Sequence, residues 1–344
     1  MSNPRVWDKL NLNAETIGSR LTHSGRRSHL SRDPLFFLAR SVVMQPRFKL
    51  LTAVSLEGVN LGPMGPAPDL LVQLFKNCRV ITSLNLREAY VQDERLSQPE
   101  SSVEQAIVQH LPGVRHLVID IHSSNKGLRV LLAGCRLLKS LHIMGSRTQG
   151  FNSSFFPTDH AMVKIFSEVG APNLEVLSLF HKENIGRAGL GAVLRSCPKL
   201  KTLNLDEVRL ANDSCFQVLA PDLRRLKSLS IVECPGAGLV TLHVLQSSCP
   251  ELSELVMTAR DEGLDLSLRE NKELLHFAPG YSGLKLTLVM PMSGPPTWLE
   301  EFQKEFSKSQ RAQLSSVFCK FEDNPGVNVR IQNMIAPFMK GIRS

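Results

Sequence analysis

A single short pattern, L-x-x-L-x-L, returns eight times between residues 51 and 257 of this chain. Its first apolar positions are Leu51, Ile81, Val114, Leu138, Leu174, Leu200, Leu226 and Leu252. They stand 30, 33, 24, 36, 26, 26 and 26 residues apart. Self-similarity at such a period marks a repeat architecture, and about 20–29 residues per unit is the leucine-rich window. Four of the eight runs are preceded, three residues earlier, by a cysteine: Cys78, Cys135, Cys197 and Cys249. Recurrence at one position of a repeat calls for a small apolar side chain packed in the core, and buried cysteine behaves as one.

The repeat has two halves with different periods. In the L-x-x-L-x-L half apolar residues alternate, as in a strand covered on one face. Before it, Leu190, Val193, Leu194 and Cys197 are spaced i, i+3, i+4, i+7, which draws one apolar stripe down a helix. Leu128, Leu131, Leu132 and Cys135 repeat that spacing, and Cys215, Val218 and Leu219 predict a third stripe. Alternating strand and helix predict an α/β leucine-rich-repeat solenoid, a horseshoe with parallel strands on the concave face and helices on the convex face. The expected organisation is a cap and linker over 1–50, cysteine-containing repeats over 51–260, and irregular terminal repeats with a cap over 261–344.

Composition narrows the function. The first 20 residues carry Arg5, Asp8, Lys9, Glu15 and Arg20, which a secretory signal does not. No run approaches the roughly 18 apolar residues of a membrane helix. Seven cysteines, four of them on one repeat position, read as reduced packed thiols. The expectation is a cytoplasmic or nuclear protein with no membrane partner. The formal charge is +8, but Lys and Arg look dispersed along the sequence. Without a dense basic tract, no nucleic-acid partner is expected. Cys234 falls on a core point after Ile231, whereas Cys319 has no place in the pattern.

The longer intervals hold insertions: Gly62–Pro68 reads as loop, as do 87–102 and 145–160. Insertions of this kind collect on one face of a solenoid. Phe151, Phe155 and Phe156 are the candidate loop contacts.

Chemistry-bearing motifs are absent from the sequence. There is no G-x-x-x-x-G-K-[ST], H-E-x-x-H, G-x-S-x-G or C-x-x-C, so no catalytic residue and no cofactor is predicted. The turns at Gly186–Gly189 and Gly236–Gly238 read as helix starts rather than phosphate loops. His116, Asp120, His122 and His142 form the best polar cluster, and a polar strand face explains them as well as a shared metal does. Alternation instead predicts a partner-binding surface on the open strand face. Its best candidates are Met144, Phe180 and Val232, apolar anchors, with Asp120, His142 and Asp206 among the polar residues around them.

Residues 4–12 read Pro4-Arg5-Val6-Trp7-Asp8-Lys9-Leu10-Asn11-Leu12. A P-x-x-W-x-x-L-x-L segment opening a cysteine-containing leucine-rich array resembles F-box leucine-rich-repeat proteins. In that family the segment follows the F-box and leads into the repeats. The resemblance implies the substrate-binding part of a receptor for a cullin-RING ubiquitin ligase, holding a protein client on its repeats. An Skp-type adaptor is implied only if an F-box lies upstream, because three residues before Pro4 cannot hold one. Read from the residues alone, Trp7, Leu10 and Leu12 cap the first repeat. A stand-alone scaffold or regulator with no ligase link stays open as the alternative, as does a small-ligand sensor built on the histidines.

Overall fold

The computed structural model describes residues 9–11, 49–57, 67–87, 103–120, 125–144, 158–180, 185–234, 236–258, 285–290 and 316–321. The chain divides into two compact units. The first comprises Met1–Pro157, Ala161–Leu177 and Ser196–Pro198; the second comprises Thr158–His160, Ser178–Arg195 and Lys199–Ser344.

In the first unit, strands β1 (Lys9–Asn11), β2 (Ala53–Ser55), β3 (Ser83–Leu86), β4 (His116–Asp120) and β5 (Ser140–Met144) pair in sequence order, all parallel. Helices α1 (Ala67–Asn77), α2 (Val103–His110) and α3 (Asn125–Gly134) supply the crossovers that parallel strands need. Helix α4 (Asp159–Glu168) and strand β6 (Val176–Leu179) follow, with Asp159–His160 and Ser178–Leu179 assigned to the second unit. The second unit holds helix α5 (Arg187–Ser196), strand β7 (Thr202–Asn204) and helix α6 (Asp213–Leu219), which a 3-10 turn at Ala220–Asp222 extends. Strand β8 (Ser228–Ile231), helix α7 (Leu239–Ser248) and strands β9 (Glu254–Thr258), β10 (Lys285–Met290) and β11 (Ser316–Phe321) complete it. Its strands β7 to β11 again pair in sequence order and parallel. Both units are α/β leucine-rich-repeat folds.

The core follows the pattern read from the sequence. Every apolar position of the eight runs is buried, from Leu51 and Val54 to Leu255 and Met257. From the second run on, the position three residues before the run is the junction between helix and strand. Cys78, Cys135, Cys197 and Cys249 are at most 2% exposed there, and Leu111, Ala171 and Leu223 occupy the same place in repeats without the cysteine. The reason is a tight turn. The backbone N–H of Cys78 closes the helix on Leu74, and its carbonyl then accepts from Ile81. Cys135 and Cys249 repeat both bonds with Leu131 and Leu138, and with Leu245 and Leu252. A side chain at such a corner faces helix and strand at once, leaving room only for a compact apolar group.

Four expectations change. Val218 is 54% exposed, and Phe216 is buried in its stead beside Cys215 and Leu219. The two lie on opposite sides of the Cys215–Leu219 line, and the larger ring takes the core. Ala67 and Pro68 begin α1 rather than ending a loop, and proline is well suited to a helix's first turn. Cys319 does have a place: Met257, Leu288 and Cys319 share one register line. Residues 9–11 form β1, with Leu10 opposite Val54, so this part of the Trp7 segment joins the sheet as a rung.

Candidate functional site

Alternation points every second strand residue away from the core, and two lines of such positions run across the strands of each unit. Ala53, Ser83, His116 and Ser140 are register partners in the first unit, as are Ser55, Asn85, Val118 and His142. In the second unit Thr202, Ser228 and Glu254 form one line, and Asn204, Ser230 and Val256 the next. Asp120 stands opposite Met144. The strands are covered unequally. In β2 and β3 the core residues are buried and their neighbours half-buried, which leaves one face of the sheet accessible.

That face is more organised than an open polar wall. In the first unit Asn85 Nδ2 donates to Glu57 Oε2 at 3.1 Å, and the Arg87 guanidinium lies 3.5 Å from the same carboxylate. In the second, Asn204 Nδ2 donates to Ser178 Oγ at 2.9 Å, and Ser228 Oγ donates to Glu254 Oε2 at 3.1 Å. Asp206 Oδ1 accepts both Ser230 Oγ and the Val232 N–H, at 2.5 and 3.1 Å. Adjacent rungs lie about 4.8 Å apart, so short polar side chains on one register line reach each other. Ser140, Ser178 and Ser230, which alternation points away from the core, are therefore only 7%, 0% and 9% exposed.

His142, Met144, Phe180, Asp206 and Val232 are all half-buried. Met144 belongs to the first unit, and Phe180 and Val232 to the second. Asp206 and Val232 are joined by the bond just described, so Asp206 orders the strand end beside its apolar neighbour. Asp120 lies at the end of β4, with its side chain outside the described residues, and Phe151, Phe155 and Phe156 lie outside them entirely. His142 Nε2 is 2.8 Å from Ser140 Oγ. Burial, and then the charge of His116, hold the His142 imidazole below its ordinary pKa. His116 itself is exposed and His122 is outside the described residues. Among the described residues, no group of three His, Cys, Asp or Glu side chains could hold a metal ion.

The glycine turns have an occupant that the sequence did not advertise. Gly186, just before α5, and Gly189 within it both donate their N–H groups to Asp159 Oδ1 at 2.7 Å. Gly238 and Thr241, at the start of α7, donate theirs to Asp213 Oδ1 at 2.9 Å. The Thr241 hydroxyl donates to the same oxygen at 2.5 Å. Glycine has no side chain with which to cap a helix, so a carboxylate from the first turn of the preceding helix accepts the orphan amides. These amides are engaged with protein and are not offered to a phosphate. Helix α6, by contrast, has Asn212 at its N-cap, accepting from the Cys215 N–H at 3.0 Å.

The shared thiols are chemically quiet. Burial pushes Cys78 and Cys135 up to about 11 and Cys197 and Cys249 up to about 12. The thiolate is the reactive form, so at neutral pH these four are packing groups. Among the described residues, no helix is long and apolar enough to cross a membrane.

No family model matches the chain. Among solved structures, a chain of the crystal structure of the Rad7 and Elc1 complex in yeast is similar over 66% of this chain and 73% of its own length. The identity is 16% and the TM-score 0.30, too low to bear on function.

Proposed function

We propose that the chain is a non-catalytic protein-recognition module that holds a client protein on its accessible strand face. We further propose that it is the substrate-binding part of an F-box-type receptor of a cullin-RING ubiquitin ligase. One observation supports the first reading above the others: the parallel strands are sealed by apolar packing on one face and carry an accessible, hydrogen-bonded polar surface on the other. Parallel sheets usually bury both faces. A wall held rigid by cross-rung hydrogen bonds presents fixed side chains at little ordering cost to a partner. Half-buried Met144 in the first unit, and half-buried Phe180 and Val232 in the second, give each unit apolar anchors of the kind that dominate protein interfaces.

The ligase reading draws on the resemblance of Pro4, Trp7, Leu10 and Leu12, and of the four repeat cysteines, to F-box leucine-rich-repeat proteins. Its mechanism is positional: the repeats hold the client while other subunits transfer ubiquitin. The test is affinity capture with mass spectrometry, comparing the chain with a Met144→Ser, Phe180→Ala, Val232→Ser variant. A client captured by the first and lost by the second is the expected result; identical captures would end the reading. Probing the same captures for an Skp-type adaptor tests the ligase link. A client retained without adaptor, in a chain extended to include any upstream F-box, leaves a stand-alone recognition module.

A further inference from the structure

The charge that looks scattered in sequence is gathered by the repeat register. Consider three positions in every repeat: two and one residues before the first core residue of the run, and one after it. Over eight repeats these 24 positions hold ten Lys or Arg and two acidic residues, Glu175 and Glu251. Their sum of +8 equals the formal charge of the whole chain. All other positions therefore cancel.

Each unit carries its own share on the edge where its strands begin. In the first unit the positive residues are Lys49, Arg79, Arg115, Arg136 and Lys139, and all are exposed. In the second they are Lys199, Lys201, Arg224, Arg225 and Lys227, again all exposed. Backbone bonds stack like charges on neighbouring rungs: Lys139 N–H donates to the Arg115 carbonyl, and Lys227 N–H to that of Lys201. Like charges set side by side across strands are destabilising. The ion pairs Lys139–Glu175 and Lys227–Glu251, at 3.3 and 3.8 Å, are too exposed to offset much of this. A polyanionic partner would remove the repulsion.

The first unit's edge also carries aliphatic side chains. Leu50, Val80 and Leu137 occupy one repeat position, immediately before the core residue, and are 66%, 49% and 49% exposed. They alternate with the basic residues. None of the large apolar side chains exposed among the described residues is aromatic. Single-stranded nucleic acids are held by stacking on aromatic rings, which these aliphatic groups cannot provide.

We propose that the strand-start edge of each unit docks an acidic segment of a partner protein, whose own aliphatic residues pack on Leu50, Val80 and Leu137 in the first unit. The proposal rests on the protein-recognition reading above and assigns the partner's chemistry to a second surface, next to the strand face.

The experiment is fluorescence anisotropy of the full chain with a labelled peptide of Glu-Glu-Leu repeats, at low and at physiological salt. A Gly-Ser peptide of equal length and a duplex DNA serve as competing probes. Binding of the acidic peptide that weakens with salt is expected. Exchanging Arg115, Lys139, Lys201 and Lys227 for Glu should weaken it at least about tenfold, since exposed charges each contribute modestly but add across a stripe. The neutral set Arg115→Gln, Lys139→Gln, Lys201→Gln, Lys227→Gln should lose less, and thermal melts confirm that both variants fold. Leu50→Ser with Val80→Ser and Leu137→Ser should weaken the peptide severalfold. Lys164→Glu with Arg187→Glu, exposed charges away from this edge, should change nothing. Unchanged affinity in the charge-reversed edge would overturn the proposal. So would duplex DNA that binds more tightly than the peptide and is lost with the same variants, which would make the edge a nucleic-acid surface. In client capture, loss with the strand-face variant but not with the edge variants would sink this proposal alone. Capture indifferent to both would sink the reading beneath it.

Discussion

Gly134, the last residue of α3, approaches Val108 of α2 so closely that a Cβ built on it would stand 2.1 Å from Val108 Cγ1 and 2.8 Å from Val108 Cβ. Valine is stiff about χ1, so the helix ends would have to part. Gly134→Ala should therefore destabilise the protein by about 1–3 kcal/mol, although alanine is the better helix former. Adding Val108→Ala should recover part of that loss. Urea unfolding of the two single variants and the double variant checks this; additive losses would mean the two residues do not compete for space.

The carboxylates that cap helices from the preceding repeat should matter unequally. Asp159→Ala removes the acceptor of two amides and should cost about 1 kcal/mol. Asp213→Ala should cost more, about 2 kcal/mol, because the fully buried Thr241 hydroxyl loses its partner as well. A lower urea midpoint with an unchanged slope is the expected signature. Two variants of wild-type stability would show that water can replace these carboxylates.

Alkaline pH should unfold the protein through its thiols. Burial raises Cys78, Cys135 and Cys215 from 9.0 to about 11, and Cys197, Cys234 and Cys249 to about 12. Between pH 9 and those values the unfolded chain has released a proton that the folded chain still holds. Stability is thus complete below pH 9 and falls as pH rises, by about 1.4 kcal/mol per unit for each thiol. Cys197→Ala with Cys249→Ala should flatten the slope by two thiols' worth in denaturant melts from pH 8 to 10.5. An unaltered slope would refute the burial of these groups. Cys197→Asp should cost several kcal/mol at neutral pH, as an unpaired charge at that corner.

Glu207 and Glu233 have left-handed backbones, with φ of 61° and 53°. They stand 26 residues apart, just beyond the strand face, where the sequence has glycine in two other repeats, Gly58 and Gly145. Asparagine tolerates this conformation better than glutamate. Glu233→Asn should stabilise by about 0.5 kcal/mol, read as a rise in melting temperature; a clear fall would mean that the Glu233 side chain contributes more than its backbone strain costs.

Much of the fold was legible because it depends on short-range rules. Core triads such as Leu200, Leu203 and Leu205 alternate within six residues, and their recurrence then aligns neighbouring strands without further information. The columns of the strand face followed from that alignment alone. What escaped notice was contact between repeats. Asp159 and Gly186, or Ser178 and Asn204, are unremarkable until the period brings them side by side. The basic edge escaped for the same cause: Arg115 and Lys139 are distant in sequence and adjacent in the ladder. Strand β11 was missed because Ser316–Phe321 lacks the L-x-x-L-x-L pattern. The choice of Phe216 over Val218 was settled by bulk, which spacing does not weigh.

Borrowed caps tie the modules into a directional lineage. Helices α5 and α7 cannot begin well without Asp159 and Asp213, which their predecessors own. A recombination that excised the repeat of α4 or of α6 would strand the helix after it with bare amides, whereas one that moved donor and recipient together would not. Evolution or an engineer shuffling this array should therefore find that its smallest exchangeable parcel is a pair.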